Sequence, residues 1–217
     1  VQLWANYALV SNDERKLMGQ APRDILIEQV QTASKGNFLP NTANYQVSND
    51  IRFSHAVKVL FFAIRNRTVA SQHSNYTTAG VVPSAVSAPL GPAAADPLIQ
   101  TSLIYENTNR LTQMGSDYFS LINPWYHAPA IPQETGYHCY SYSLDFFDLD
   151  PNGSTNFGKL TNVSMISFAS TDAITAAAGG GAAASGCDYV QTFELIVTAV
   201  NNNIVRVSGG ALGFPVL

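Results

Sequence analysis

Charge is scarce in this sequence. Lys, Arg, Asp and Glu supply 12% of its 217 residues, against roughly 25% in an average soluble protein. Asn, Gln, Ser, Thr and Tyr stand in their place. Interface cores are depleted in charge, so a surface of this kind suits a protein buried against other proteins. A secreted binding module with a neutral surface would look the same, and composition leaves both open. The net charge is −4 with no basic run, which excludes a nucleic-acid binder that tracks phosphates. No apolar stretch approaches the roughly 18 residues that a membrane helix needs. No cationic start followed by an apolar run marks a secretory signal peptide. The chain opens on Val1 rather than Met, which reads as a fragment or a processed product. Cys139 and Cys187 lie in different segments; two free buried thiols are expected, with pairing as the alternative.

Motifs for chemistry are missing as well. His55, His73, His127 and His138 show no zinc spacing, and no two histidines alternate on one strand with a carboxylate after them, as a metal-binding cupin strand requires. His138 and Cys139 are neighbours, so a strand would point them to opposite faces. There is no nucleophile elbow, and the glycines at 179–181 lack the Lys and flanking strand of a phosphate loop. Asp145, Asp148 and Asp150 could offer oxygens to Ca²⁺, but a solvated loop ahead of the Asp150-Pro151-Asn152-Gly153 turn is the preferred reading. No catalytic, cofactor-binding or metal-ligating residue is therefore assigned. Trp125, Tyr126, Tyr137, Tyr140 and Tyr142 could stack on sugars; core or interface anchoring is the commoner use of such residues. Asn66, Asn75, Asn152 and Asn162 head glycosylation sequons, which matter only in a secretory pathway.

What the sequence does contain is strands. The stretch 52–66, RFSHAVKVLFFAIRN, organises the rest. Val57, Val59, Phe61 and Ala63 alternate with Leu60, Phe62 and Ile64, and both sets are apolar. A sheet with one wet face would place polar residues at every second position, so this strand is expected to be covered on both sides. One cover is the domain's own core; the other is a loop, a neighbouring domain or another subunit. Further strands are expected over 3–10, 25–32, 101–108, 137–146 and 163–169, then 193–200 and 204–207 as one strand or a pair. Ser11 and Glu14 form a capping box for a helix of about two turns that Gly19 ends. One helical turn fits 117–125, and Pro124, Pro129 and Pro132 make an extended crossing. Residues 33–49 and the Pro-rich 67–97 read as long loops. The Gly/Ala-rich 176–186 reads as a flexible tip that projects with the 67–97 loop from one end. Seven or eight strands without regularly interleaved helices predict two packed antiparallel sheets. Long crossovers favour an eight-stranded jelly roll with short helices in its loops, formed by 1–217 as a single domain.

Seven stretches taken together resemble the C-terminal half of an iridovirus major capsid protein. They are DERKLMGQAPRDILIEQVQ (13–31), IRFSHAVKVLFF (51–62), LIYENTNRL (103–111), DYFSLINPWYHAPAIP (117–132), TGYHCYSYSL (135–144), PNGSTNFGKLTN (151–162) and NNNIVRVSGGALGFP (201–215). The resemblance covers nearly the whole chain. It implies the second jelly roll of a double jelly-roll protein, preceded by an N-terminal jelly roll of the same chain. It also implies trimers of nearly hexagonal outline that tile an icosahedral shell around a DNA virus, with minor capsid proteins as further neighbours. Assembly in the cytoplasm of the infected cell would leave disulfides and sequon glycosylation unexpected. The function expected is structural and not enzymatic, with no cofactor; a carbohydrate-binding jelly roll is the alternative.

Overall fold

Strand β4, Ala56–Asn66, lies inside a sheet and is buried along most of its length. The computed structural model describes residues 2–68, 73–79, 95–178 and 190–214. Around β4 one sheet runs in the order β1-β10-β4-β7, where β1 is Arg23–Thr32, β7 is His138–Ser141 and β10 is Phe193–Ser208. Short strands β2 (Gly36–Phe38), β8 (Thr155–Asn156) and β11 (Ala211–Gly213) pair onto β10, β4 and β10. The second sheet runs β3-β9-β5-β6, with β3 Gln46–Asp50, β5 Leu98–Tyr105, β6 Thr108–Gly115 and β9 Val163–Ala169. The pairings are antiparallel throughout.

The core fills the space between the sheets. Leu60, Phe62 and Ile64 of β4 and Leu195 and Val197 of β10 face Leu103 of β5 and Met165 of β9. Phe119 closes one side, edge-on to Phe62 at 5.2 Å between ring centres. Phe157 sits among Phe53, Tyr105 and Tyr142 at 5.8 to 5.9 Å. These separations suit edge-to-face attraction.

The other face of β4 is covered in part: Val59 is enclosed, while Phe61 stays 39% exposed. Val59 packs with Cys139 and Phe146 in a second, smaller cluster bordered by Ala128 and Val200. The cover is internal: the crossing at 128–132 and the loop at 144–149 lie over it. The alternation read from sequence holds from Val59 onward but breaks at Lys58. Val200 pairs with Val59 and Asn201 with Val57, so Lys58 is one residue too many. A bulge of this kind shifts the facing of the residues before it, and Val57 joins the main core with Leu60 rather than Val59. The extra residue, Lys58, is buried; it pairs with Glu28 on β1 and donates to the Asp148 carbonyl at 3.1 Å.

Several elements differ from expectation. Residues 3–10 form no strand, for they find no partner backbone among the described residues. Helix α1, Asn12–Gln20, starts at Ser11, whose hydroxyl accepts the Glu14 N–H at 3.3 Å. It runs through Gly19 and stops at Ala21, because Pro22 cannot continue it. The expected loop at 33–49 holds β2 and β3: β2 continues the β1 edge along β10, and β3 pairs with β9. The strand read at 101–108 is instead a hairpin. Glu106 and Asn107 adopt φ of 47° and 60° and turn β5 into β6, the backbone hand that two-residue hairpins need. The Glu106 carboxylate accepts N–H groups from Thr161 and Asn162, which fixes that strained pair. Residues 118–122 form a π-helical turn that runs into helix α2, Asn123–His127, with Pro124 in its first turn rather than in an extended crossing. The strand at 137–146 shortens to β7, and bonded turns follow, one with Gly153 at φ 128°. Strand β10 is continuous through Asn201, Asn202 and Asn203, so no break separates 193–200 from 204–207. Residues 176–178 end helix α3, Thr171–Ala178, and Ala176 and Ala177 pack on the core, so they are no flexible tip. The remainder of that segment and most of the 67–97 loop lie outside the described residues.

Two substitutions separate core from appendage. Leu103 is fully buried, so Leu103→Ala is expected to lower the unfolding free energy by about 3 kcal/mol, read from urea denaturation. Helix α1 buries no residue. Ser11→Ala is therefore expected to speed amide exchange at residues 13–18 and leave the urea midpoint unmoved.

Candidate interaction surfaces

The groups that could carry chemistry are mostly engaged in holding the fold. His138 has a fully buried side chain, stacked on Phe62 at 5.2 Å, with Nε2 2.8 Å from Asp96 Oδ2. Asp96 also accepts the Leu98 N–H at 2.9 Å, so the pair fastens the entry to β5. His127 Nδ1 meets the Leu144 carbonyl at 2.9 Å and ties α2 to the following loop. The acids at 145–150 act as turn formers. Asp145 accepts the Phe147 N–H at 2.9 Å, and Asp148 accepts the Asn152 amide at 3.3 Å. Among the described residues no three His, Cys, Asp or Glu side chains gather as metal ligands would.

The tyrosines divide. Tyr140 is in the core and Tyr142 packs against it, with the Tyr142 hydroxyl bonded to that of Tyr105. Burial pushes Tyr105 up to about 12 and Tyr142 well above its ordinary value. Burial likewise raises the Cys139 thiol to about 12, so it is no nucleophile at neutral pH. Cys187 lies outside the described residues. Trp125 and Tyr126 are exposed, whereas Tyr137 is half-buried, packs against Tyr76 at 5.0 Å between ring centres and lines the groove beside β4. Asn66 is buried, its amide donating to Gln191 at 2.8 Å and to the Thr77 carbonyl at 3.3 Å, which closes that sequon to modification in the fold.

What the surface offers is apolar contact. Leu121, Ile122, Trp125, Tyr126, Leu144 and Phe147 are exposed around α2 and the 144–149 loop. Beside them a groove of about 280 Å³ opens between the 128–132 crossing and the outer face of β4, floored by Phe61, Ala63 and Ile196. Large aromatics in such numbers are typical of protein contact anchors. At the far end of β4, Glu194 is buried among Arg65, Arg67 and Lys35; the Arg67 and Lys35 contacts measure 3.3 and 3.6 Å. Sequence reading missed this cluster because its members are far apart in the chain. It also missed the His138–Asp96 pair, whose partners are separated by the long loop.

Comparison with known proteins agrees with a contact role. The profile described as large eukaryotic DNA virus major capsid protein matches residues 14–213. The chain is 63% identical over 218 residues to the major capsid protein of Costelytra zealandica iridescent virus, covering 100% of this chain and 47% of that one. It is 51% identical over 219 residues to that of Lymphocystis disease virus 1, covering 100% of this chain and 48% of the relative. The chain thus spans about half the length of the curated relatives it matches. Among solved structures, a quasi-atomic model of the PBCV-1 virus capsid superposes with a TM-score of 0.71 at 19% identity, over 96% of this chain and 55% of that one. At that identity the likeness speaks for the fold alone. The relatives carry the name of a structural protein, and nothing in the comparisons supports the carbohydrate-binding alternative.

The buried thiol and phenols set an alkaline limit. A group whose value is raised in the fold stabilises it fully below its unfolded value and loses that contribution as pH climbs toward the folded value. The window runs from 9.0 to about 12 for Cys139 and from 10.0 to about 12 for Tyr105. The urea midpoint is expected to fall steadily across that range; a flat profile would contradict these burials. In protein carrying Cys187→Ser, iodoacetamide at pH 8 is expected to leave Cys139 unmodified until urea unfolds the chain.

Proposed function

This chain belongs to the family of large eukaryotic DNA virus major capsid proteins, and we propose that it serves as a rigid building block of a viral shell. The family match across residues 14–213 carries this reading. The sheet orders support the finer assignment of an eight-stranded jelly roll. With the short β2, β8 and β11 set aside, eight strands remain among the described residues. Counted along the chain, they lie as 1-8-3-6 in one sheet and 2-7-4-5 in the other, an arrangement of interleaved Greek keys.

Its work is geometric. The sandwich holds the exposed apolar groups around Trp125 and the groove beside them at fixed positions, and these dock on neighbouring proteins. The whole protein would carry a preceding jelly roll in the same chain and form trimers that tile an icosahedral shell. Minor capsid proteins would add contacts, and assembly would take place in the host cytoplasm. That relatives are about twice as long as this chain supports the second domain. A low charge count suits walls that meet, since each unpaired ion buried there costs several kcal/mol.

Sedimentation of the full-length protein tests the proposal. A trimer is expected. A monomer at high concentration would overturn the trimer, and the mass of residues 1–217 alone would show how much of the contact this part supplies.

A further inference from the structure

The groove beside β4 and the charged cluster at the end of that strand lie on one face of one sheet. Ala63 and Ile196 pair across β4 and β10 and floor the groove. Arg65 and Glu194 pair as well, each two residues further along its strand. Side chains two apart share a face, so the cluster stands about 7 Å beyond the groove floor. Tyr76 and Tyr137, packed at 5.0 Å between ring centres, line the groove. Gly136 holds φ 96°, and any side chain there would collide with the Tyr76 carbonyl. Close backbone contact therefore fixes the tyrosine wall. At about 280 Å³ the groove has room for one slender apolar body.

The cluster carries more positive charge than its acid needs. Glu194 is 2% exposed, and a buried carboxylate demands a partner. Arg65, in direct contact, is one. Lys35 at 3.6 Å and Arg67 at 3.3 Å meet the same carboxylate, and among the described residues no other acid pairs with them. Three cations against one carboxylate leave a charge of +2, in a chain whose net charge is −4. The side chains of Lys35 and Arg67 are 55% and 54% exposed, so both present their charge outward. Neutralising Glu194 does not require them.

We propose that the groove binds a single-chain amphiphile with an anionic head, a free carboxylate of the fatty-acid class. Its chain lies along Phe61 and Ala63, and its head meets Lys35 and Arg67. From Phe61 to Arg65 the strand covers about 14 Å, the reach of an extended chain of moderate length. Charge complementarity selects this occupant. The floor takes an apolar body, and the surplus cations take an anion at one end of it. An apolar side chain of a neighbouring protein would fill the floor and leave the cations unused. The site adds to the contact role and does not depend on it, since Trp125 and Tyr126 do not line the groove and stay exposed when it is filled.

Equilibrium dialysis of the full-length protein against radiolabelled decanoate, below the concentration at which it forms micelles, tests this. Decanoate is expected to bind, and decanol, which lacks the charge, to bind at least about 10-fold more weakly. Lys35→Ala combined with Arg67→Ala keeps the Arg65–Glu194 pair. It is expected to weaken decanoate to the level of decanol and to leave decanol unchanged. Thr198→Trp, which fills the groove, is expected to abolish binding of both; should that variant fail to fold, the double variant still decides. Absent decanoate binding, equal binding of decanoate and decanol, or an unchanged double variant would each overturn the proposal. Binding of phosphatidylglycerol vesicles without binding of decanoate would assign the face to a membrane surface and overturn it too.

Discussion

The fold depends on a strand that is apolar on both faces and buried along most of its length. Burying both faces of β4 demands two covers, and most of the chain is deployed to provide them. The second sheet with Phe119 and Phe157 supplies one. The 128–132 crossing and the Phe146 loop supply the other. The outer cover is tied to the sheet through Lys58, whose ammonium reaches Glu28 on the edge strand and the Asp148 carbonyl in the outer loop. One buried cation thus links an edge, the centre and the outer cover. Burying it without partners would be costly.

Scarcity of charge has an internal cause as well as the interfacial one proposed. Between β1 and β10 the inward positions near one end of the sandwich are amides. Asn203 donates to Gln29 at 2.9 Å, and Gln31 donates to Asn201 and to the Ser54 carbonyl, each at 2.8 Å. Asn201 and Asn203 are buried. Amides can donate and accept at once, so they satisfy one another where ions would need desolvation. Some of the Asn and Gln that replace charge in the composition therefore belong to the interior, not to a surface. The same network carries β10 through three consecutive asparagines, a run that local propensity alone would break.

Legibility followed the range of the interaction. Strand β9 was readable to the residue, because Val163–Ala169 is set by its own alternation. The Ser11 cap was readable because its partners are three residues apart. The π-helical turn before α2, the β5–β6 hairpin and β2 were hidden, since each is stabilised by distant groups: Asn123 by Ser141, Glu106 by Thr161 and Asn162, Phe38 by Phe193. Residues 3–10 show the converse. Their pattern is that of a strand, yet a strand needs a neighbour, and pattern alone does not supply one. The contact surface was legible only as a list of aromatics; packing sorted Trp125 and Tyr126 to the outside and Tyr140 and Tyr142 to the inside.

The extra residue at Lys58 also constrains how this lineage can vary. Because facing alternates along a strand, losing or gaining one residue in β4 would exchange the core set with the outer set. The bulge is the single point where such an offset is already absorbed. Point replacements can drift through β4 while its length stays fixed, and changes in length are confined to the connections outside it.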